Sequence, residues 1–278
     1  MCGMKKKVYL CRMISKSKQK EISSYKLQKN CDSEQVFVVE GPKMCSEAWR
    51  EKMTIRIVVA LPEWMEEVQQ EWGFEWNRLR GTANEGGTMR WHGIDIYEAT
   101  DAELERISGM KAPNKVWMLV ERPPEQSLPQ LGEGHILVLD HLQDPGNLGT
   151  ILRTADWFGI RQVVCSLDTA SCYNAKVVQA SMGGVFRTKI CYTNLLPLLD
   201  EASSKGLPIY GALLEGKSLF DTHMERNGLL IVGNESKGIS SEVASRVTQK
   251  ITIPNIGGTC ESLNAAIATA LFCAEWMR

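Results

Sequence analysis

No stretch of this 278-residue sequence reaches the ~18 consecutive apolar residues that a membrane-spanning helix needs. Its cysteines include no Cys-x-x-Cys pair, so neither a zinc ribbon nor a thioredoxin-like redox motif is expected. Histidine is scarce: His92, His135, His141 and His223 are spread out, and no two share the helical spacing of metal ligands. No metal site is therefore expected. A Gly-x-Ser-x-Gly nucleophile elbow is absent, and no Gly-x-Gly-x-x-Gly follows an apolar strand, which argues against a dinucleotide fold. The segment nearest to a phosphate-binding loop is Gly233-Asn-Glu-Ser-Lys-Gly238. That motif needs lysine directly after its second glycine; here Ile239 stands there and Lys237 comes before it, so a nucleotide triphosphatase is excluded. Internal repeats and low-complexity segments are also missing.

What is present is an ordinary globular composition, 44% hydrophobic and 23% charged. The length suits two domains or one large one. The net charge of −1 hides an uneven distribution. Residues 1–60 hold 13 Lys+Arg against 6 Asp+Glu, and residues 61–133 hold 7 against 14. The remaining 145 residues are nearly balanced, at 12 against 13. A basic N-terminal segment suits contact with phosphates, or simply a solvated face. The odd number of cysteines, 9, scattered and partly within apolar runs such as Val-Val-Cys165, fits free buried thiols in a reducing cytosol. The apolar run after Lys5-Lys6-Lys7 is too short for a signal-peptide core, and Met13 offers an alternative start.

Residues 13–30 read as a Lys-rich opening with weak helical character. Strands are expected at Gln35–Glu40, Thr54–Leu61, Asp95–Tyr97 and Lys115–Glu121, with helices at Lys43–Glu51, from Pro62 and from Thr100. This is a small alternating α/β unit, residues 1–122. Pro123-Pro124 and Pro129 mark residues 123–133 as an extended linker. From 134 to the C-terminus the rhythm is regular. Strands are expected at His135–Asp140, Gln162–Leu167, Thr188–Tyr192, Leu207–Leu214, Gly228–Gly233 and Lys250–Pro254. Helices are expected at Asn147–Trp157, Asn174–Met182, Leu195–Lys205, Ser240–Arg246 and Ser262–Trp276. Strands alternating with helices predict a parallel sheet covered on both faces.

Three polar, Gly-rich segments sit where an apolar strand gives way to a loop. They are Asp140-His-Leu-Gln-Asp144-Pro-Gly-Asn147-Leu-Gly149-Thr-Ile-Leu-Arg153, then Gly233-Asn-Glu235-Ser-Lys-Gly238, then Ile253-Pro254 with Glu261-Ser262-Leu263-Asn264. In a parallel sheet such strand ends are where ligands bind, so the three loops predict one composite pocket.

These segments resemble the motifs of the SpoU/TrmH family of RNA ribose 2′-O-methyltransferases, within the SPOUT superfamily. Asn147, Gly149 and Arg153 match that family's Asn-x-Gly-x-x-x-Arg. Gly233, Glu235 and Gly238 match Gly-x-Glu-x-x-Gly. Ile253-Pro254-Asn255 with Ser262-Leu263-Asn264-Ala-Ala-Ile-Ala268 is similar to Ile-Pro-Met followed by Ser-Leu-Asn-Val-Ser-Val-Ala. Gln179-Ala-Ser181-Met-Gly183 resembles a further family segment. The likeness covers about residues 134–278. More weakly, Ser15-Lys16, Phe37-Val-Val-Glu40-Gly41-x-Lys43 and Ile107-Ser108 before Pro113 resemble the family's N-terminal substrate-binding domain, whose fold is similar to some ribosomal proteins. Two departures are notable: Asn255 replaces Met, and Ala265-Ala266-Ile267 replaces Val-Ser-Val.

The resemblance implies a knotted C-terminal α/β domain, S-adenosylmethionine as cofactor, and methyl transfer to a ribose 2′-hydroxyl of structured RNA, ribosomal before transfer RNA. Partners are then RNA, not DNA, and a second copy of the chain, a homodimer formed through the C-terminal domain, in the cytoplasm. It assigns catalysis to Arg153, Asn147, Glu235, Ser262 and Asn264, and cofactor binding to Gly233, Ile253, Leu263 and Leu213. Arg153 is read either as a base or as a phosphate clamp that stabilises the developing alkoxide. Asn147 either orients the ribose or Arg153, or caps a helix. Glu235 either fixes its loop or contacts Arg153 or RNA. Ser262 and Asn264 begin the last helix, where capping is compatible with a site role, and Asp144 and Pro145 shape a turn. The alternative on the same fold is a non-catalytic RNA-binding or ribosome-assembly factor.

Overall fold

The computed structural model describes residues 14–110 and 114–278. The Lys5–Lys7 run, Met13 and Pro113 lie outside the described residues. The chain divides into two units, Met1–Arg122 and Pro123–Arg278.

In the first unit, Ser15 caps α1 (Lys16–Ser24), its side chain accepting from the Lys18 amide, and α2 (Gln28–Glu34) follows. The β-branched run of β1 (Val36–Glu40) leads through Gly41, at φ 91°, into α3 (Pro42–Arg50). Pro at the first helical position opens both α3 and α4 (Pro62–Trp72), where its missing N–H costs nothing. Between them lies β2 (Ile55–Ala60), and after them come α5 (Trp76–Arg80), β3 (Thr88–Trp91) and β4 (Ile94–Glu98). A reciprocal Thr100–Glu103 capping box starts α6 (Asp101–Ile107), and β5 (Val116–Glu121) closes the unit. The sheet order is β1-β5-β2-β4-β3, with only β2 and β4 running parallel. The sheet is thus mixed, and the expected strand at Asp95–Tyr97 is half of a hairpin. Its partner β3, short and carrying Thr88 and Arg90, has no apolar run to announce it.

The second unit starts with residues lacking helix or strand, but Leu131 already packs against its core. Next come β6 (His135–Leu139), α7 (Pro145–Trp157), β7 (Gln162–Ser166), α8 (Ala175–Ser181) and the short α9 (Gly184–Arg187). They are followed by β8 (Lys189–Thr193), α10 (Leu195–Ser204), β9 (Ile209–Ser218) and β10 (Gly228–Val232). The last elements are α11 (Ser241–Ala244), β11 (Gln249–Thr252) and α12 (Ala265–Trp276). The sheet order is β11-β9-β10-β6-β7-β8 and every pairing is parallel. β10, buried along its whole length, lies between β9 and β6. The chain runs outward from β6 to β8, returns to β9, and then inserts β10. This reversal beside β6 is the switch point at which open α/β sheets bind ligands.

Two glycines explain local packing. A Cβ on Gly149 would lie 2.5 Å from the Ala180 Cβ and 2.7 Å from the Val177 carbonyl oxygen, so α7 and α8 touch only because that residue is bare. A Cβ on Gly184 would meet the Leu152 carbonyl oxygen at 2.7 Å, which seats α9 on the same helix.

Candidate active site

The three strand-end loops follow β6, β10 and β11, at the C-terminal edge of the parallel sheet. In the first loop, Asp144 is the helix N-cap: its side chain accepts from the Asn147 amide at 2.7 Å, and Pro145 takes the first helical position. The capping reading of Asn147 is thereby corrected. With the cap supplied three residues earlier, its side chain is free to leave the helix. Asn147 Nδ2 donates to Glu235 Oε1 in the second loop at 2.7 Å. Asn147 Oδ1 accepts from Asn264 Nδ2 in the third at 2.9 Å. Asn264 caps α12 at the same time, its Oδ1 accepting from the amides of Ala266 and Ile267 at 2.9 and 3.3 Å. One asparagine therefore ties three loops together, and an amide suits this because it donates and accepts at once.

The second loop is a tight turn closed by two backbone hydrogen bonds between Asn234 and Gly238. A Cβ on Gly233 would lie 2.2 Å from the Gly238 carbonyl carbon, so this position tolerates no side chain. Asn234 Oδ1 accepts from the amides of Ser236 and Lys237, and its Nδ2 donates to the His141 carbonyl at 2.8 Å. Asp140, at 1% exposure, accepts from the Ser240 amide at 2.7 Å. Asp140 and Asn234 lie outside the site residues expected from the sequence. The available signal was a polar residue directly after a buried apolar strand, where its side chain can satisfy loop amides.

Of the other proposed cofactor residues, Leu213 lies in an excursion of β9 and packs against the core of this unit. The pairing of β9 with β11 jumps from Gly211–Lys250 to Lys217–Ile251. Thr252 Oγ1 donates to the Leu214 carbonyl across that excursion at 3.0 Å, which places Ile253 beside it. Leu214, Ile256 and Leu263 are exposed apolar side chains around these loops, at 74%, 92% and 49% exposure. The Met-to-Asn departure at 255 has a structural use. Asn255 Oδ1 accepts from the Gly258 amide at 2.7 Å, and its Nδ2 donates to the carbonyls of Gly258 and Cys260. The departures Ala265 and Ala266 are buried.

Arg153 and Ser262 stand outside the hydrogen-bonded trio. Arg153 is exposed and has neither hydrogen bond nor ion pair among the described residues. Six residues beyond Asn147, it lies about 9 Å further along α7 and on another face of the helix. Glu235 pairs with Asn147 rather than with Arg153. Ser262 is exposed and precedes the cap of α12, so that helix begins at Ala265 and not at Ser262.

Two surface cavities lie elsewhere. One, of about 270 Å³, is lined by Leu207, Pro208, Glu225 and Thr248; the other, of about 330 Å³, by Gln130, Arg161 and Lys189 among others. Both sit at the N-terminal edge of the sheet, opposite the edge where parallel sheets bind ligands. No group of three or more metal-ligating side chains occurs among the described residues. Nor, among them, is any helix long and apolar enough to cross a membrane. The described thiols other than Cys260 are buried, and burial pushes Cys191 up to about 11 and Cys273 up to about 12, so both are protonated near neutral pH.

Comparison with known proteins agrees with this geometry. The SpoU rRNA Methylase family profile matches residues 134–274, and that of the MRM3-like substrate binding domain matches residues 16–117. A 180-residue stretch is 32% identical to the 23S rRNA guanosine 2′-O-methyltransferase RlmP of Bacillus subtilis, covering 64% of this chain and 71% of that one. A TrmH-family RNA methyltransferase structure from Porphyromonas gingivalis is 36% identical with a TM-score of 0.80, over 95% of this chain and 98% of that one. The AdoMet-bound rRNA methyltransferase of Sinorhizobium meliloti is 26% identical with a TM-score of 0.76, over 95% and 96%. The chain belongs to the SpoU rRNA methylase family, RNA methyltransferases that use S-adenosylmethionine.

Proposed function

We propose that the three joined loops form the reaction centre of an RNA ribose 2′-O-methyltransferase acting on ribosomal RNA in the cytoplasm. The observation that carries this reading is the Glu235–Asn147–Asn264 chain, which draws all three motif loops to one point of the sheet edge.

The residues present fit S-adenosylmethionine. Gly233 keeps the second loop tight, with its backbone at the sheet edge, while Leu213, Ile253 and Leu263 offer apolar contact around it. When bound, the cofactor supplies a sulfonium methyl group. The protein's part is to position a 2′-hydroxyl and favour the developing negative charge on oxygen as its proton passes to solvent. Arg153, an unpaired guanidinium, holds an RNA phosphate and stabilises that charge. Asn147, Glu235, Ser262 and Asn264 shape the floor on which the ribose rests.

Arg153 stands apart from the trio of its own chain, which favours a homodimer in which it completes the partner's pocket. Exposed apolar side chains support such an interface. Trp157 on α7 is 84% exposed, and Ile267 and Leu271, one turn apart on α12, are 56% and 39% exposed. The motif segments of this unit thread as a trefoil knot, and the first unit is the RNA-binding domain, of a fold similar to some ribosomal proteins. A labelled methyl group from S-adenosylmethionine should appear on ribose 2′-oxygens when the protein is incubated with ribosomal RNA. Cofactor binding without transfer to any RNA would instead favour the non-catalytic assembly factor.

A further inference from the structure

His141 sits directly after β6 with a left-handed backbone, φ 58°, which is uncommon for a residue with a side chain. Its ring lies between two carboxylates: Nδ1 is 2.7 Å from Asp140 Oδ1, and Nε2 is 2.5 Å from Asp168 Oδ2. Asp140 is buried and holds the Ser240 amide with its other oxygen. Asp168 belongs to the loop after β7, which is fastened to the same place. Ser166 Oγ accepts from the His141 amide at 2.9 Å, and the Ala170 amide donates to the Leu142 carbonyl at 2.9 Å. The His141 carbonyl accepts from Asn234 Nδ2, and Asn234 in turn sets the turn that carries Glu235.

We infer that His141 is a proton-dependent latch, a positioning residue that joins the Asp168 loop to the turn bearing Glu235 and so holds the Glu235–Asn147–Asn264 chain in register. The inference rests on the proposed role of that chain in methyl transfer. A neutral imidazole donates from one nitrogen only, so only the imidazolium satisfies both carboxylates. The charged groups facing the ring are Asp140, Asp168 and Lys237. The hydrogen bond to Asp140 leads in raising the His141 pKa above its ordinary 6.5, Asp168 adds to it, and Lys237 opposes. The sign follows: the latch is complete below about 6.5 and is lost as pH rises through the raised value.

The test uses the full chain and two variants. His141→Asn keeps a residue that tolerates the left-handed backbone but cannot bridge both carboxylates. Asp168→Asn removes one carboxylate at a half-exposed position, where folding is not at stake. Three readouts are taken: methyl transfer across pH, hydrogen exchange at the Lys237 and Ser240 amides, and titration of His141 by nuclear magnetic resonance. Displacements of an ångström can cost up to a hundredfold in rate, so a fall in kcat of about tenfold is expected at low pH for His141→Asn. That deficit should shrink as pH rises through the His141 pKa, and exchange at both amides should quicken about tenfold at low pH. Asp168→Asn should lower the His141 pKa. A lower Tm with an unchanged pH profile would mark a merely structural residue and overturn the latch, as would wild-type exchange in both variants. If the wild-type protein transfers no methyl group, the proposed function fails, and exchange and titration still decide the latch.

Discussion

The two units distribute their buried polar pairings differently over their sheets. In the first, buried polar side chains pair at separate points of a mixed sheet. Glu40, at 7% exposure, accepts from the Ser108 hydroxyl and from the Gly109 amide, and Arg80 pairs with the buried Glu98. Thr100 and Glu103 satisfy each other at the start of α6. In the second, the polar residues that follow the strands reach to other loops: Asp140 to Ser240, Asn234 to His141, Asn147 to Glu235 and Asn264. Sheet topology explains the contrast. A mixed sheet sends its strand ends to both edges, whereas an all-parallel sheet gathers every C-terminal end at one edge. The same polar residue types that pair separately in the first unit become a linked network of loops when the strands all point one way.

The largest effect that would sharpen this contrast is expected at Arg153, which takes no part in holding either unit together. Arg153→Ala should cut methyl transfer by about 10²–10³-fold, the usual loss when one charge-stabilising donor is removed. The circular dichroism and melting of the variant should match the parent. Gly233→Ala should act on structure and binding together. Its Cβ meets the Gly238 backbone rather than a yielding side chain, so a loss of about 1–3 kcal/mol is expected by chemical denaturation. Calorimetry should show weakened S-adenosylmethionine binding in parallel. Glu40→Gln is the counterpart in the first unit. It should cost about 1–3 kcal/mol by weakening a buried, charge-assisted pair of hydrogen bonds, and leave S-adenosylmethionine affinity unchanged. If Glu40→Gln altered cofactor affinity, the separation between the polar groups of the first unit and the linked loops of the second would break. The smallest effect is expected for Thr100→Ala, about 1 kcal/mol from the lost cap, with no change in methyl transfer.

Much of the second unit was legible because its strands are apolar runs bounded by glycine, proline and asparagine. The positions of β6, β7 and β10 follow directly from those runs. Less legible were features that depend on a neighbour. The strand expected to end at Leu214 continues to Ser218, because β11 pairs with it on both sides of the excursion. The edge strand β3 is short, and hairpin pairing with β4 overrides its weak pattern. In the site, motif spacing pointed to Asn147, Glu235 and Asn264, but not to their mutual hydrogen bonds. From the sequence the cap reading falls on Asn147 and Asp144 only shapes a turn; geometry alone shows that Asp144 caps the helix and that the Asn147 side chain leaves it. Asp140, His141 and Asn234 carry no spacing signal for the contacts that join the loops, since those partners lie 25 to 100 residues away.

Methyl transfer to ribose in RNA is the proposed task of the joined loops. The most direct measurement is a map of ribose methylation in ribosomal RNA from cells with the chain, without it, and with Arg153→Ala in its place. A 2′-O-methyl group should disappear without the protein and fail to return with the variant. An identical map in all three cells, with the purified protein still binding S-adenosylmethionine, would contradict that task.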